Sequence, residues 1–216
     1  AKRYEDYPSA GDFLGEDFNC YTEDIYVGYR YFETFAPEAV QFPFGFGLSY
    51  TSFALTQMRA EAQGDTVRVW VTAENTGALS GREVVQVYGS APQGVLGKPA
   101  RVLAAFGKTR TLAPGESETL ALSFPLSALA SYDDGGVTGH KSAWVLEAGE
   151  YGIYAGTDVR RASLCGSVTV PELRVVSQLQ EICPPSPAHP FDRLVNRGGK
   201  AVYEPVPTAS RSLRGR

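Results

Sequence analysis

The chain has 216 residues, a formal net charge of −4, 43% hydrophobic and 20% charged side chains, a profile that fits an ordinary soluble globular protein able to bury a core without staples. The mild acidity argues against nucleic acid as a partner, and the one basic cluster, Arg211, Arg214 and Arg216, reads as a solvated tail. No apolar run approaches the ~18 residues of a membrane helix, and the three cysteines, Cys20, Cys165 and Cys183, are too scattered for a disulfide framework or a CxxC metal pair, so a reducing, cytoplasmic setting is expected.

Residues 1–50 are rich in Tyr, Phe, Gly and acids, and Pro8, Pro37 and Pro43 interrupt any long helix. Mostly irregular structure is expected there, with one short strand or helix within Asp24–Phe32. The stretch FPFGFGLSYT, Phe42–Thr51, combines glycines that permit unusual backbone paths with aromatics that offer large area at low side-chain entropy. It reads as a hydrophobic plug sealing two domains together. A dinucleotide site is ruled out because Gly45-Phe46-Gly47 lacks the third glycine and the following helix.

From Ser52 the pattern becomes short β-branched and aromatic runs broken by turns, the signature of an all-β sandwich. Strands are expected at Phe53–Gln63, Thr66–Asn75, Arg82–Ser90 and Glu118–Phe124, in two runs within Ala143–Asp158, and near Ala162–Val170. In the second, Val67, Val69 and Val71 share one face and Arg68, Trp70 and Thr72 the other. About seven strands in roughly 120 residues match an immunoglobulin-like sandwich. Past Pro171, Glu172–Ile182 is expected to form a short helix. The clustered Pro184, Pro185, Pro187, Pro190, Pro205 and Pro207 then predict an extended connector leading to a further domain.

The order of these landmarks resembles glycoside hydrolase family 3, the β-glucosidase family. YTEDIYVGYRYFETF followed by FPFGFGLSYT is similar to the junction where that family's α/β sandwich domain ends and its fibronectin type III-like domain begins. NTGALSGREVVQVY, KPARVLAAFGKTRTLAPGESETLALSF and SYDDGGVTGHKSAWVLEAGEYGIYAGTD follow in that domain's order, and AHPFDRLVNRGGKAVYEPVPT resembles the connector of permuted members. The resemblance implies a mainly β, antiparallel immunoglobulin/fibronectin III-like sandwich with an irregular N-terminal segment and an extended Pro-rich C-terminal linker. It divides the chain into residues 1–50 (end of the α/β domain and aromatic junction), 51–171 (fibronectin-like domain) and 172–216 (short helix and linker toward a barrel).

The family's retaining mechanism uses an aspartate nucleophile in the barrel and a glutamate acid/base in the α/β domain, upstream of the junction. The resemblance therefore carries no catalytic residue, cofactor or metal onto this chain. The acid pairs Glu5-Asp6, Glu16-Asp17, Glu23-Asp24 and Asp133-Asp134 read as solvated loop acids, since sequence neighbours on an extended chain point apart. His140 and His189 lack partners at metal-ligand spacing. Tyr29, Tyr31, Phe42, Phe44, Phe46 and Tyr50 are the expected domain-docking junction. Lys98 and Tyr132, in glycine-rich loops at the ends of the sandwich, are the candidates for reaching an active-site mouth. The implied partners are the catalytic barrel and α/β domains of one enzyme, with a β-glucoside reached only through the whole, and neither nucleic acid nor membrane. The competing reading is a free-standing carbohydrate- or protein-binding module, with Trp70 and Tyr88 as its planar aromatics.

Overall fold

The structure, a computed structural model, describes residues 1–11, 19–182 and 184–208. Glu16-Asp17, Cys183 and the basic tail Arg211, Arg214 and Arg216 lie outside the described residues. An N-terminal arm carries helix α1 (Tyr29–Phe35). It leads to strands β1 (Phe53–Gln63), β2 (Thr66–Asn75), β3 (Val84–Ser90), β4 (Val102–Lys108), β5 (Ser117–Pro125) and β6 (Ser131–Asp133). Strands β7 (Ala143–Leu146), β8 (Gly149–Gly156), β9 (Ser163–Val170), β10 (Arg174–Gln178), β11 (Asp192–Arg197) and β12 (Lys200–Pro205) follow.

Sheet β1-β2-β5 packs on sheet β4-β3-β8-β9, and all their pairings are antiparallel. The alternation expected for β2 is what builds the core: Val67, Val69 and Val71 are fully buried against Val85 and Val87 of β3 and Tyr151, Ile153 and Ala155 of β8. Each such side chain withdrawn from water contributes roughly 1.5–3 kcal/mol before entropy is counted. Trp70, on the opposite face, lies beneath the Arg59 guanidinium, 3.9 Å from its ring.

Two expectations fail beyond the sandwich. The stretch predicted as a helix, Glu172–Ile182, contains β10, which pairs with β7 in the small sheet β10-β7-β6. Its Leu and Gln residues favour a helix, but β7 would be left with unpaired backbone groups along one edge; Arg174, Val175, Ser177 and Gln178 pair with it, with Val176 at a bulge. The predicted extended connector contains the hairpin β11–β12. Its two-residue turn is Gly198-Gly199, with φ of 62° and 83°, a conformation that side-chain-bearing residues resist. The prolines do not forbid it, because Pro205 pairs with Asp192 at the open end of the hairpin, where its missing N–H costs little.

Candidate functional site

The arm is fastened to the sandwich at several points. Tyr29 of α1 stacks on Phe44 with centroids 4.2 Å apart, and its hydroxyl accepts a 2.8 Å bond from the Leu103 N–H. The Val159 N–H donates to the Phe44 carbonyl at 3.0 Å. Gln86 on β3 donates to the carbonyls of Gly45 (3.3 Å) and Thr157 (2.7 Å) and accepts from the Tyr88 hydroxyl (2.5 Å). Gly45 has φ +85°, and a Cβ there would stand 2.1 Å from Gln86 Oε1, so glycine is required for this close approach. At the arm's end the Thr51 hydroxyl donates to buried Asn75 Oδ1 at 2.8 Å. The Asn75 amide in turn donates to the carbonyls of Leu79 and Leu112, which is the physical content of the NTG stretch.

Between these anchors the chain turns its apolar side chains outward. Leu48 is 92% and Tyr50 97% exposed, and Phe42, packed on Phe46 at 5.0 Å, is 60% exposed. Within this chain, then, only part of the predicted junction is a plug: Tyr29 and Phe44 seal the arm to the sandwich, and Tyr31 packs on Phe32 and Phe35 inside the arm. Phe42, Leu48 and Tyr50 are apolar side chains left exposed on a tethered backbone.

A second seam joins the arm, the Ser90–Ala100 loop and the β11–β12 hairpin. The Leu194 N–H donates to the Thr22 carbonyl at 2.6 Å. Arg193 grips both oxygens of Asp134, at 2.5 and 2.9 Å, and reaches Asp24 at 3.2 Å. Asn196 donates to Gln93 Oε1 and the Lys98 carbonyl, each at 3.1 Å. Lys98, expected to project from its loop, is buried with its ammonium on Glu147. Burial lowers its pKa and Glu147 opposes that shift. The loop is short enough that its lysine closes inward on the carboxylate at the end of β7 rather than reaching into solvent.

The acid pairs are not all solvated. Asp133 is fully buried and accepts bonds from the backbone N–H groups of Gly136, Val137 and Thr138 and from the Thr138 hydroxyl, at 2.6–3.0 Å. Burial pushes its pKa up, but these hydrogen bonds outweigh it and the net shift is downward. Asp24 goes the other way: burial raises its pKa against the pull of Arg193. His140 and His189 are exposed, and among the described residues no group of three or more His, Cys, Asp or Glu could hold a metal.

Lys98 and Tyr132 share the wall of one cavity of about 260 Å³ enclosed by the arm, the β11–β12 hairpin and β6–β7. Its other conspicuous members are Trp144, Arg30, Asp24 and Arg193. Trp144 pairs with Tyr132 in the β6–β7 register, their rings 5.5 Å apart and each partly exposed. Trp144 was legible as the outward residue between Ala143 and Val145; Arg30 and Arg193 carried no motif, and only the tertiary path brings them there. Of the aromatics proposed for a free-standing module, Tyr88 is fully buried and Trp70 lies beneath Arg59.

Three strands facing four, with a clamped arm at one end, define a fibronectin type III-like module, and the fibronectin type III-like domain family matches residues 83–159. The chain is 47% identical over 202 residues to a β-glucosidase of Ruminococcus albus, covering 94% of this chain and 21% of that protein. It is 48% identical over 182 residues to β-glucosidase A of Butyrivibrio fibrisolvens, covering 76% and 22%. A β-glucosidase structure from Paenibacillus barengoltzii superposes with a TM-score of 0.89 at 49% identity, over 98% of this chain and 24% of that one. β-Glucosidase 3B of Thermotoga neapolitana, solved with α-D-glucose, gives 0.70 at 43% identity, over 80% and 24%. The chain is therefore homologous to a portion of the glycoside hydrolase family 3 β-glucosidases, and it spans about a fifth of the length of the relatives it matches. No helix among the described residues is long and apolar enough to cross a membrane.

Proposed function

We propose that this chain is the non-catalytic scaffold of a retaining β-glucosidase that releases terminal β-linked glucose, docking and steadying the domains that do the chemistry. In this reading residues 1–50 end an α/β sandwich domain, 51–171 are the fibronectin-like domain, and 172–216 lead through the β11–β12 hairpin toward a barrel. The aspartate nucleophile and the glutamate acid/base come from the other two domains. The scaffold's contribution is geometric, because two carboxyl groups from separate domains work only if the domains are held at a fixed spacing.

The outward apolar side chains of the arm carry this reading. Leu48 and Tyr50 are almost wholly exposed, although the backbone on either side is pinned through Gly45 to Gln86 and through Thr51 to Asn75. Apolar side chains held out in this way are suited to burial against a partner, here the catalytic domains. The free thiols of Cys20 and Cys165 support a reducing, cytoplasmic setting.

Hydrolysis of a chromogenic β-glucoside by the 216-residue chain and by the complete enzyme, each with and without Leu48→Ala/Tyr50→Ala, tests the proposal. The chain alone is expected to be inactive and its melting temperature unmoved by the double substitution, whereas the complete enzyme loses thermal stability and turnover with it. Turnover by the chain alone, or an indifferent complete enzyme, would reject the docking role.

A further inference from the structure

We propose that the cavity between the arm, the β11–β12 hairpin and β6–β7 binds a neutral pyranose, as a site separate from any carboxylate-driven hydrolysis. One side is an aromatic platform. Tyr132 and Trp144 are neighbours in register with their rings inclined at 50°, still 36% and 42% exposed, so either ring offers a face. Such rings suit the C–H face of a pyranose while its hydroxyls reach a polar rim.

The rim is present. Arg30 lines the cavity, yet among the described residues its guanidinium makes no hydrogen bond or ion pair, so its donors are available. Ser131 adds a hydroxyl, and the Asp24–Arg193 pair presents an acceptor and a donor together. Neighbouring sugar hydroxyls, which both donate and accept, match that alternation.

Charge selects the ligand class. The carboxylates of Asp24, Asp133, Asp134 and Glu147 stand against the cations of Arg193, Lys98 and Arg30, so the wall and its neighbours lie within one charge of neutral. A phosphate or an ammonium ion gains little from such a wall; a neutral polyol loses nothing. The volume of about 260 Å³ suits one ring rather than a long oligosaccharide.

The polyol class rests on the wall itself, whereas the choice of a β-glucoside as first probe rests on the proposed function. Ligand-observed saturation-transfer NMR on the 216-residue chain would use methyl β-glucoside, methyl α-mannoside and phenol, with Arg30→Ala and Trp144→Ala variants checked for unchanged melting. Saturable binding of at least one pyranoside is expected, weakened about tenfold or more in each variant. If a mannoside binds and the glucoside does not, the site stands as a pyranose site whose preference differs from the sugar the enzyme is proposed to cleave. Binding of phenol alone, no saturable binding, or binding indifferent to both substitutions overturns the site, and the hydrolysis assay above remains an independent judge of the enzyme reading.

Discussion

The interior between the two sheets and the seam that fastens the arm and hairpin to them are held by different interactions. Between the sheets, Val67, Val69, Val71, Val87 and Ile153 meet with no polar group to satisfy, so stability there scales with apolar area and tolerates no cavity. At the seam, Arg193 with Asp24 and Asp134, Lys98 with Glu147, and Asn196 with Gln93 hold segments far apart in sequence. These contacts are directional: the Arg193 pairs are partly exposed and contribute less than a core side chain, whereas Lys98, Glu147 and Asn196 are buried and would leave an unpaired group behind if one partner were lost. The sandwich is built to stay folded; the seam is built to set where the arm and hairpin sit.

The widest separation of the two regions is expected from Ile153→Ala. A fully buried aliphatic side chain is removed, and the loss should be about 2–5 kcal/mol in denaturant unfolding, shared by the whole molecule. A loss confined to the hairpin would break the comparison.

Arg193→Ala should cost less, about 1–2 kcal/mol, because its guanidinium is 23% exposed and water can partly replace it on Asp24 and Asp134. The effect should be local: amide exchange should quicken on β11, β12 and Thr22–Tyr26 while β2, β3 and β8 keep their protection. Uniform acceleration across the sandwich would show that seam and core unfold as one unit.

The smallest effect is expected from acid. The Asp133 pKa is lowered in the folded chain, so the unfolded chain binds its proton more readily, and the stability it contributes is present above the ordinary aspartate pKa of about 3.9 and lost as pH falls through the folded value. Asp133→Asn should remove that part of the acid dependence in melting scans between neutral pH and pH ~3. The Asp133 loop borders the seam through Asp134, so an unchanged acid profile would place the acid sensitivity elsewhere.

Much of the sandwich was legible because its signals are local. The alternation of β2 and the Pro114-Gly115 turn before β5 depend on residues close in sequence and coincide with the observed elements, whereas β4 was not among the expected strands and β7 joins the small third sheet. Of the aromatic junction, the contact of Tyr29 and Phe44 with the sandwich is seen in the fold, while docking onto other domains belongs to the proposed function. The Gly198-Gly199 turn was equally local, but the surrounding prolines hid it.

What the sequence by itself determined is the alternation that assigns a buried and an open face to β2, and the glycines that let the chain turn. Only the tertiary structure decided that Glu172–Ile182 would supply β10, because a helix-favouring stretch yields when a neighbouring edge needs hydrogen-bond partners. Tertiary structure alone also put Lys98 inside on Glu147, buried Asp133 at the centre of its loop, and gathered Arg30, Tyr132, Trp144 and Arg193 around one cavity. Burial and pairing depend on what stands opposite in space, and residues a hundred or more positions apart carry no local signal of their meeting.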